Sequence, residues 1–377
     1  MLKRRLRSIH SFQDNNTSHS VGPVDFPLVV TAVILVVIGL IMVYDASVVH
    51  AYKDFGDKYF YIKQQSLWVA LGFFCLFFFS KFNYHFLKVL SLPMFLVSIL
   101  MLLAVFLPGL GVDAGGAHRW LRLGFFSVQP AEIVKLTTVI FFATLFEKKV
   151  RLAPFAITVV AISAIIGVLQ KDLGSTVVFF LTMVGFYVVS GAPLKIFGYV
   201  IPFSLLGFLV FVFSSTYRKQ RILAFLDPFA DSQGYSFHIT QVLIALGSGG
   251  LTGVGIGQSR QKFEYVPEVS TDSIFSIVGE ELGFIGSVFL IGLLSFLVYR
   301  GFKIAENTSD DFGRLLAYGL TMWLGIQTLV NLGAMVSLIP LTGVPLPFIS
   351  YGGSALLVNL VGVGILANIS RSANMNS

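Results

Sequence analysis

The chain has 377 residues, of which 55% are hydrophobic and only 12% are charged, and its mean hydropathy is +0.83. A soluble domain of this length would need far more charge to cover its surface, so the composition excludes one and indicates a polytopic membrane protein. The apolar runs are too long for a transmembrane β-barrel, whose segments are short and alternating. The net charge of +7 lies mostly in short loops beside apolar runs, which favours a role in topology over nucleic-acid binding.

Ten apolar segments, most of them near the length of about 20 residues that spans a bilayer, predict ten transmembrane helices. They fall at 25–47, 64–80, 84–107, 130–147, 153–169, 174–190, 194–215, 272–299, 313–339 and 348–370. An even number of spans puts both termini on one side, and the excess of Lys and Arg in the short loops places that side in the cytoplasm. We therefore expect an all-α fold, with a transmembrane domain over 25–370 between cytoplasmic tails at 1–24 and 371–377.

The longest predicted loop, 216–271, lies outside, between the seventh and eighth spans. Its aromatic and apolar content favours an ordered loop, and loops of this length are usually functional or disordered. The stretch "HITQVLIALG" is expected to form a short helix at the membrane interface. The stretch "GSGGLTGVGIGQSRQ" lacks the phosphate-binding P-loop pattern, so we expect its glycines to permit tight turns and close packing.

The stretch "VQPAEIVKL" places Glu132 and Lys135 three residues apart, on one face of a helix. They could form an internal ion pair near the start of the helix. Alternatively, Lys135 faces a polar cavity, an interpretation favoured because a charge inside a span costs about 2.5–3.5 kcal/mol. Arg119, Trp120 and Arg122 in "GAHRWLRLG" could then hold a diphosphate beside that cavity.

Two more outer stretches carry charge. In "LQKDLGST", Asp172 either caps the next helix or faces the same cavity as the other candidates. In "YRKQRILAFLDPFAD", Arg218 and Lys219 suit anchoring at lipid headgroups, whereas we expect Arg221 to face inward.

Asp272 opens the eighth predicted span, in "STDS". It could cap that helix, or it could act as a general base at the mouth of a polar cavity by taking a proton from an attacking hydroxyl. Glu280 and Glu281 lie inside the same span and need partners or water there.

The stretch "LTGVPLPFISYGGSALL" interrupts the last predicted spans. Pro345 and Pro347 break any helix, and irregular backbone at membrane depth is tolerated only where it lines a cavity or packs on protein. The stretch is therefore either a tight outer turn or part of the cavity, with Ser350 and Gly352 as candidate binding residues. The six histidines are scattered and form no cluster with metal-ligand spacing.

Taken together, these stretches resemble one family, the SEDS proteins (shape, elongation, division and sporulation), which polymerise peptidoglycan. The likeness runs from about Asp25 to Ser370 and rests on motifs that match in order: "VYDAS", "GAHRWLRLG", "QPAEIVKL", "QKDLG", "RILAFLDPFAD", "IALGSGGLTGVGIGQSRQK", "VPEVSTDSIFSIVGEELGFIG" and "PLPFISYGGS". The stretch "GIGQSRQKFEYVPE" is more similar to the division type, FtsW, than to the elongation type, RodA.

The resemblance implies ten transmembrane helices with a large extracytoplasmic loop between helices 7 and 8. It implies glycosyl transfer from lipid II with release of undecaprenyl diphosphate. It places the essential aspartate of the family on Asp272, as the general base for the 4-hydroxyl of the acceptor's N-acetylglucosamine. The candidate substrate-binding residues are Arg119, Trp120, Glu132, Lys135, Asp172, Arg221, Ser350 and Gly352.

The resemblance also implies that Mg²⁺ or Mn²⁺ assists at the diphosphate, and we expect no organic cofactor. The expected partners are lipid II, a class B penicillin-binding protein acting as transpeptidase, and other divisome membrane proteins, with no nucleic acid. The expected location is the bacterial cytoplasmic membrane at the division septum, with the active site outside. A lipid II flippase and a non-catalytic scaffold for a transpeptidase are the alternatives. The outer clustering of the candidates and the lack of an internal repeat favour the enzyme.

The chain departs from the pattern of the family at a few positions. Ser270 and Ser273 replace the His and Phe of the usual "HTDF", and Asp45 stands where Ser is common. Ser273 adjoins the expected general base, so this departure has the greatest consequence for the packing around it.

Overall fold

The computed structural model describes residues 22–114, 117–124, 126–148, 150–193, 207, 213, 215–263 and 266–373. Seven of the described helices are long and apolar enough to cross a membrane, which indicates a multi-pass membrane protein, as the composition predicts. The predicted span 194–215 and the predicted tails 1–24 and 371–377 lie largely outside the described residues.

The other nine predicted spans each fall on a helix. The first six helices are α1 (Phe26–Phe55), α2 (Phe60–Lys81), α3 (His85–Ala104), α4 (Pro130–Phe146), α5 (Leu152–Ala164, continued by a π-helical turn, Ile165–Leu169) and α6 (Leu173–Val189). The last three are α9 (Ile274–Asn307), α10 (Asp311–Met335) and α11 (Gly353–Ser370). Between them, the predicted loop 216–271 contains α7 (Thr216–Leu226) and α8 (Phe237–Ser248). The short helix expected in "HITQVLIALG" is therefore confirmed.

A small sheet corrects the expectation of an all-α fold. Between α3 and α4, the strands β1 (Gly111–Ala114), β2 (Ala117–Leu123) and β3 (Phe126–Val128) pair antiparallel in the order β1-β2-β3. Val112 pairs with Trp120, and Leu121 pairs with Val128. A search for long apolar runs cannot detect strands of three to seven residues. Gly124, whose φ is 62, permits the turn between β2 and β3.

α10 and α11 form the centre of the helix assembly. In the most apolar 18-residue stretch of each helix, 94% of the α11 residues and 67% of the α10 residues are buried, against 17% in α2. The indole of Trp323 on α10 is fully enclosed. The polar side chains of Gln327 and Asn331 on α10 are buried as well, so they are surrounded by protein and must find partners there.

α9 breaks at Gly283, whose backbone angles are φ 67 and ψ −164. The glycine clasp, which we define as residues 249–255, fills the gap. Four main-chain hydrogen bonds of 2.9–3.1 Å join the two segments, donated by Val254 to Glu280, Gly255 to Glu281, Phe284 to Gly250 and Ile285 to Leu251. A Cβ at Gly253 would lie 2.0 Å from the Glu281 carbonyl oxygen, so a larger residue does not fit. The expectation that these glycines permit close packing is confirmed.

Candidate functional site

Asp272 lies in the turn that precedes α9. The residue is only 6% exposed, and its carboxylate accepts a long hydrogen bond of 3.4 Å from the Thr271 hydroxyl. The N-cap position of α9 belongs to Ser273, and no side chain caps this helix. The interpretation of Asp272 as a helix cap is therefore wrong, because the backbone turns one residue later than the "STDS" pattern suggests. The carboxylate keeps room for a further partner.

The surroundings of Asp272 make it a stronger base than an exposed carboxylate. Burial and, to a lesser degree, the negative charge of Glu268 raise its pKa to about 7, against the opposing positive charge of Arg221. A carboxyl group that titrates near neutral pH is suited to accept a proton from a hydroxyl.

A segment between α10 and α11, residues 341–346, packs beside Asp272; we call it the strap. Asn331 on α10 donates one side-chain hydrogen bond to the Asp272 carbonyl, at 2.8 Å, and one to the Val344 carbonyl, at 2.7 Å. Arg221 donates to the carbonyl of Leu341 at 2.7 Å. The broken stretch predicted around Pro345 thus packs on protein at the candidate site, so the interpretation as a mere outer turn is wrong.

Lys135 is fully enclosed and is linked to the strap through Gln327. Its ammonium donates to Glu132 Oε1 and to Gln327 Oε1, both at 2.8 Å, and lies 5.6 Å from the centre of the Trp323 ring. Gln327 in turn donates to the carbonyl of Pro345 in the strap at 3.2 Å. The internal ion pair is confirmed. The expectation that Lys135 faces an open cavity is wrong in this structure, because an amide from α10 fills the space beside the ammonium.

Arg119 and Asp172 meet at the start of α6. Asp172 caps that helix, accepting from the Ser175 amide at 3.0 Å, and also accepts from the side chain of Gln129 at 3.0 Å. The guanidinium of Arg119 donates to the carbonyl of Lys171, and its buried Nε finds no hydrogen-bond partner among the described residues. The capping interpretation of Asp172 is confirmed. Arg119 keeps one donor for an anion.

Two neighbours of Arg119 on β2 have different surroundings. Trp120 is half-buried, whereas Arg122 is exposed. Nearby, Gly174 on α6 approaches the strap closely, because a Cβ there would lie 2.2 Å from the carbonyl oxygen of Thr342. The Arg119 and Asp172 cluster is therefore joined to the strap through α6.

Ser350 and Gly352 form internal contacts. The Ser350 hydroxyl accepts from the Leu346 amide at 2.8 Å, and the side chain of Gln65 bonds to both residues at 3.4 Å. Next to them, the amide of Tyr351 donates to the carbonyl of Ser270 at 2.8 Å. These contacts anchor the end of the strap to α2 and to the turn that carries Asp272.

Glu280 and Glu281 hold the outer loop against α9. Glu281 accepts from the amides of Gly257 and Ser259, both at 3.0 Å, and from the Lys262 ammonium at 3.1 Å. Glu280 accepts from the amide of Arg260 at 3.0 Å. Charged groups inside a span need partners, and here the loop that follows the glycine clasp supplies them.

Lys262 also joins the loop to α1, donating to Asp45 Oδ1 at 2.8 Å. Burial disfavours its charge, but hydrogen bonds and attraction from Asp45 and Glu281 outweigh that effect and raise the pKa of the ammonium. Asp45, a departure from the pattern of the family, therefore has a structural partner.

The sequence contained a usable signal for two residues that were not predicted. Gln327 and Asn331 stand four residues apart in the predicted span 313–339, so they share one face of a helix. The rule that singled out Lys135, a polar group inside a span, applies to both of them. His238, which contacts Ser273 at 2.7 Å, gave no comparable signal because it lies outside the predicted spans, where a polar side chain is not unusual.

The described residues were also compared with the needs of a divalent cation. Within this part of the chain, no three His, Cys, Asp or Glu side chains come together as a metal site. A protein-only cage for Mg²⁺ or Mn²⁺ is therefore not present in the described residues, and a cation here would need diphosphate oxygens or water among its ligands.

Comparison with known proteins gives matches that span nearly the whole chain. Residues 26–375 match the model of a family described as cell cycle protein, of the FtsW, RodA and SpoVE type. The stage V sporulation protein E of Bacillus subtilis is 40% identical over 92% of this chain and 97% of its own length. A probable peptidoglycan glycosyltransferase FtsW of Geobacter sp. (strain M18) is 38% identical over 92% of this chain and 96% of its own.

Solved structures agree with these sequence matches. A chain of a peptidoglycan synthase complex, studied for its coordination of polymerization and crosslinking, has a TM-score of 0.75 and 27% identity, covering 92% of this chain and 98% of that one. The rod shape determining protein RodA of Thermus thermophilus has a TM-score of 0.67 and 26% identity, covering 93% of this chain and 98% of that one. By its sequence and its fold, the chain belongs to the FtsW, RodA and SpoVE family, the SEDS proteins.

Proposed function

We propose that this protein is a peptidoglycan glycosyltransferase that polymerises lipid II into glycan strands, with Asp272 as its general base. Membership of the family and relatives named as probable peptidoglycan glycosyltransferases support this proposal. The observation that carries it is the carboxylate of Asp272, which is buried, weakly hydrogen-bonded and has a pKa raised to about 7.

The reaction needs one proton acceptor and one stabilised leaving group. The 4-hydroxyl oxygen of the acceptor's N-acetylglucosamine attacks the anomeric carbon of the donor's muramyl sugar, and Asp272 takes the hydroxyl proton. The bond from the anomeric carbon to the diphosphate oxygen breaks, and undecaprenyl diphosphate leaves with the electron pair. The barrier falls because the acceptor oxygen gains negative charge as the proton leaves, and the leaving diphosphate is stabilised by cations.

The leaving diphosphate would be held by the cations around the strap. Among the described residues, Arg119 Nε has no hydrogen-bond partner, and Arg221 lies beside the strap and donates to the Leu341 carbonyl. Trp120 could cover a sugar or lipid group next to Arg119. Lys135 would contact the diphosphate only after its ion pair with Glu132 opens; in the closed arrangement it supports the strap through Gln327. Mg²⁺ or Mn²⁺, when bound, would supply further charge at the diphosphate oxygens.

The placement in the cell forms part of the same proposal. The chain would cross the cytoplasmic membrane ten times, with both termini inside and with Asp272 and the 216–271 loop outside, where flipped lipid II is available. Its partners would be a class B penicillin-binding protein and other divisome membrane proteins at the septum. The likeness to a chain of a complex that couples polymerization to crosslinking supports a transpeptidase partner.

Purified protein in detergent, with its transpeptidase co-expressed, distinguishes an enzyme from the alternatives. We expect glycan strands from added lipid II, resolved by gel electrophoresis, because polymerisation needs no membrane barrier. A flippase moves lipid between leaflets and makes no polymer, and a scaffold makes none either. No strands beside an active control polymerase would therefore overturn the proposed function.

A further inference from the structure

His238 is the second residue of α8, and α8 is firmly placed. Ile239, Val242 and Ala245 on this helix are buried, and Gly249 at its end approaches the Gly279 carbonyl of α9 so closely that a Cβ would lie 1.9 Å from the oxygen. The position of the His238 ring is thus fixed relative to the first turns of α9.

The ring of His238 contacts the residue that follows Asp272. Its Nε2 lies 2.7 Å from the hydroxyl of Ser273, a fully buried side chain. His238 and Arg221 also line a pocket of about 150 Å³ between α7, α8 and the residues that lead into the strap. The His238–Ser273 contact therefore lies where this pocket approaches the candidate base.

The backbone of the 272–273 turn is held at the Ser273 carbonyl, which accepts from the amide of Ser276 at 2.9 Å and from its hydroxyl at 2.7 Å. Asn331 holds the Asp272 carbonyl from α10, and the Ser273 amide donates to the Glu268 carbonyl at 3.3 Å, near the upper limit for a hydrogen bond. Because Ser273 makes no cap bond to α9, its hydroxyl is available to His238. The contact adds a restraint from α8 to those that α9 and α10 supply.

A neutral imidazole suits this place. Burial and, to a lesser degree, the positive charge of Arg221 lower the pKa of His238 to about 4, so the ring is uncharged at neutral pH. A neutral ring keeps one donor and one acceptor nitrogen, and it adds no positive charge that would weaken Asp272 as a base.

We propose that His238 is a positioning residue for the glycosyl transfer, which, through its hydrogen bond to Ser273, fixes the turn that aims the Asp272 carboxylate at the acceptor hydroxyl. This inference rests on the proposed function. It assigns a task to Ser273, which stands where the family usually has Phe.

The test measures polymerisation rates over a range of lipid II concentrations for His238→Ala, Ser273→Ala and the double variant. We expect each single variant to lower kcat about 10-fold with little change in KM, because a base displaced from its productive geometry slows the chemical step rather than binding. The double variant should be no slower than the slower single variant, since both remove the same bond. His238→Gln, which keeps a side-chain donor, should recover most of the rate.

Thr240→Ala, on the same helix as His238, is the matched control, since the Thr240 hydroxyl donates to the carbonyl of Pro228 in the loop before α8. Unchanged kcat in both single variants, or multiplicative losses in the double variant, would overturn the positioning role while the wild-type activity keeps the proposed function intact. An inactive wild type would instead remove the proposed function. Thermal unfolding in detergent shows whether a slow variant is folded. If His238→Ala does not fold, the rate of His238→Gln is compared with the wild type and with Ser273→Ala instead.

Discussion

Asn331 donates hydrogen bonds from one amide group to the carbonyl of Asp272 and to the carbonyl of Val344 in the strap. One helical turn earlier on α10, Gln327 bonds both to Lys135 and to Pro345 in the strap. One face of α10 therefore joins the candidate base, the strap and the buried ion pair. A change at any of them is expected to reach the others.

Asn331→Leu tests this connection. The substitution keeps the approximate size of the side chain and leaves two buried carbonyl oxygens without their donor, each at a cost of about 1–3 kcal/mol. We expect the polymerisation rate to fall by about 10- to 100-fold, because the Asp272 turn and the strap lose their common anchor. Thr328→Ala is the control, since Thr328 donates to the Leu324 carbonyl within α10. Equal rates in Asn331→Leu and Thr328→Ala would show that the connection has no functional role.

The rate should depend on pH through Asp272. With a pKa of about 7, the ionised fraction, and with it the rate, should rise about 10-fold between pH 6 and pH 8 and level off above. His238 remains neutral over this range and does not contribute to the rise. The measurement is kcat at saturating lipid II from about pH 5.5 to about pH 9. This range extends about 1.5 units below and about 2 units above the pKa of Asp272, so it covers the whole expected rise.

Glu268→Gln sharpens the pH prediction. Removing the negative charge that raises the pKa of Asp272 should lower that pKa, so the rise in rate should move to lower pH. Because Glu268 is exposed, we expect the variant to keep the fold. A rise that stays in place, or moves to higher pH, would show that another group controls the profile.

Lys262→Met tests the link that Lys262 makes from the outer loop to Asp45 on α1 and to Glu281 on α9. The variant leaves the carboxylates of Asp45 and Glu281 close together and without their cation, and breaking a buried pair costs about 3–5 kcal/mol. We expect a clearly lower midpoint of thermal unfolding in detergent. Arg260→Met, which removes an exposed positive charge two residues away, should leave the midpoint close to that of the wild type. Similar midpoints for both variants would argue against the buried network.

Gly253→Ala tests the glycine clasp. Its Cβ would lie 2.0 Å from the Glu281 carbonyl oxygen, and φ is +81 at this position, so we expect a loss of about 3 kcal/mol or more. Gly247→Ala inside α8 meets no atom within 4 Å and should be neutral or slightly stabilising. The unfolding midpoints of the two variants give the comparison, and equal midpoints would mean that the clasp tolerates a side chain.

Much of the fold follows from local patterns in the sequence. Hydropathy locates the helices because the length of an apolar run is a local property, and the spacing of Glu132 and Lys135 gives their ion pair for the same reason. The sheet over 111–128 was not predicted, since its strands are short and its pairing depends on turns. The end of α10 at Met335, four residues before the predicted end of its span, reflects the tight turn at Ser337, where φ is 56.

The contacts within the candidate site could not be read from local patterns. Asn331 lies 59 residues from Asp272, and Lys262 lies 217 residues from Asp45, so only the packing of distant helices brings these pairs together. For Asp272 the "STDS" pattern fits a cap and a base equally well. The N-cap position of Ser273 rules out the cap, and the burial of Asp272, a tertiary property, supports the base.

The most direct test of the central claim compares lipid II polymerisation by the wild type and by Asp272→Asn, each co-purified with its transpeptidase and shown to be folded. Asparagine is similar in size but cannot take the proton, so we expect the rate to fall by about 100-fold or more. Asp311→Asn removes an exposed carboxylate at the opposite end of α10 and should keep the wild-type rate. Polymerisation by Asp272→Asn at the rate of the wild type would contradict the assignment of Asp272 as the general base.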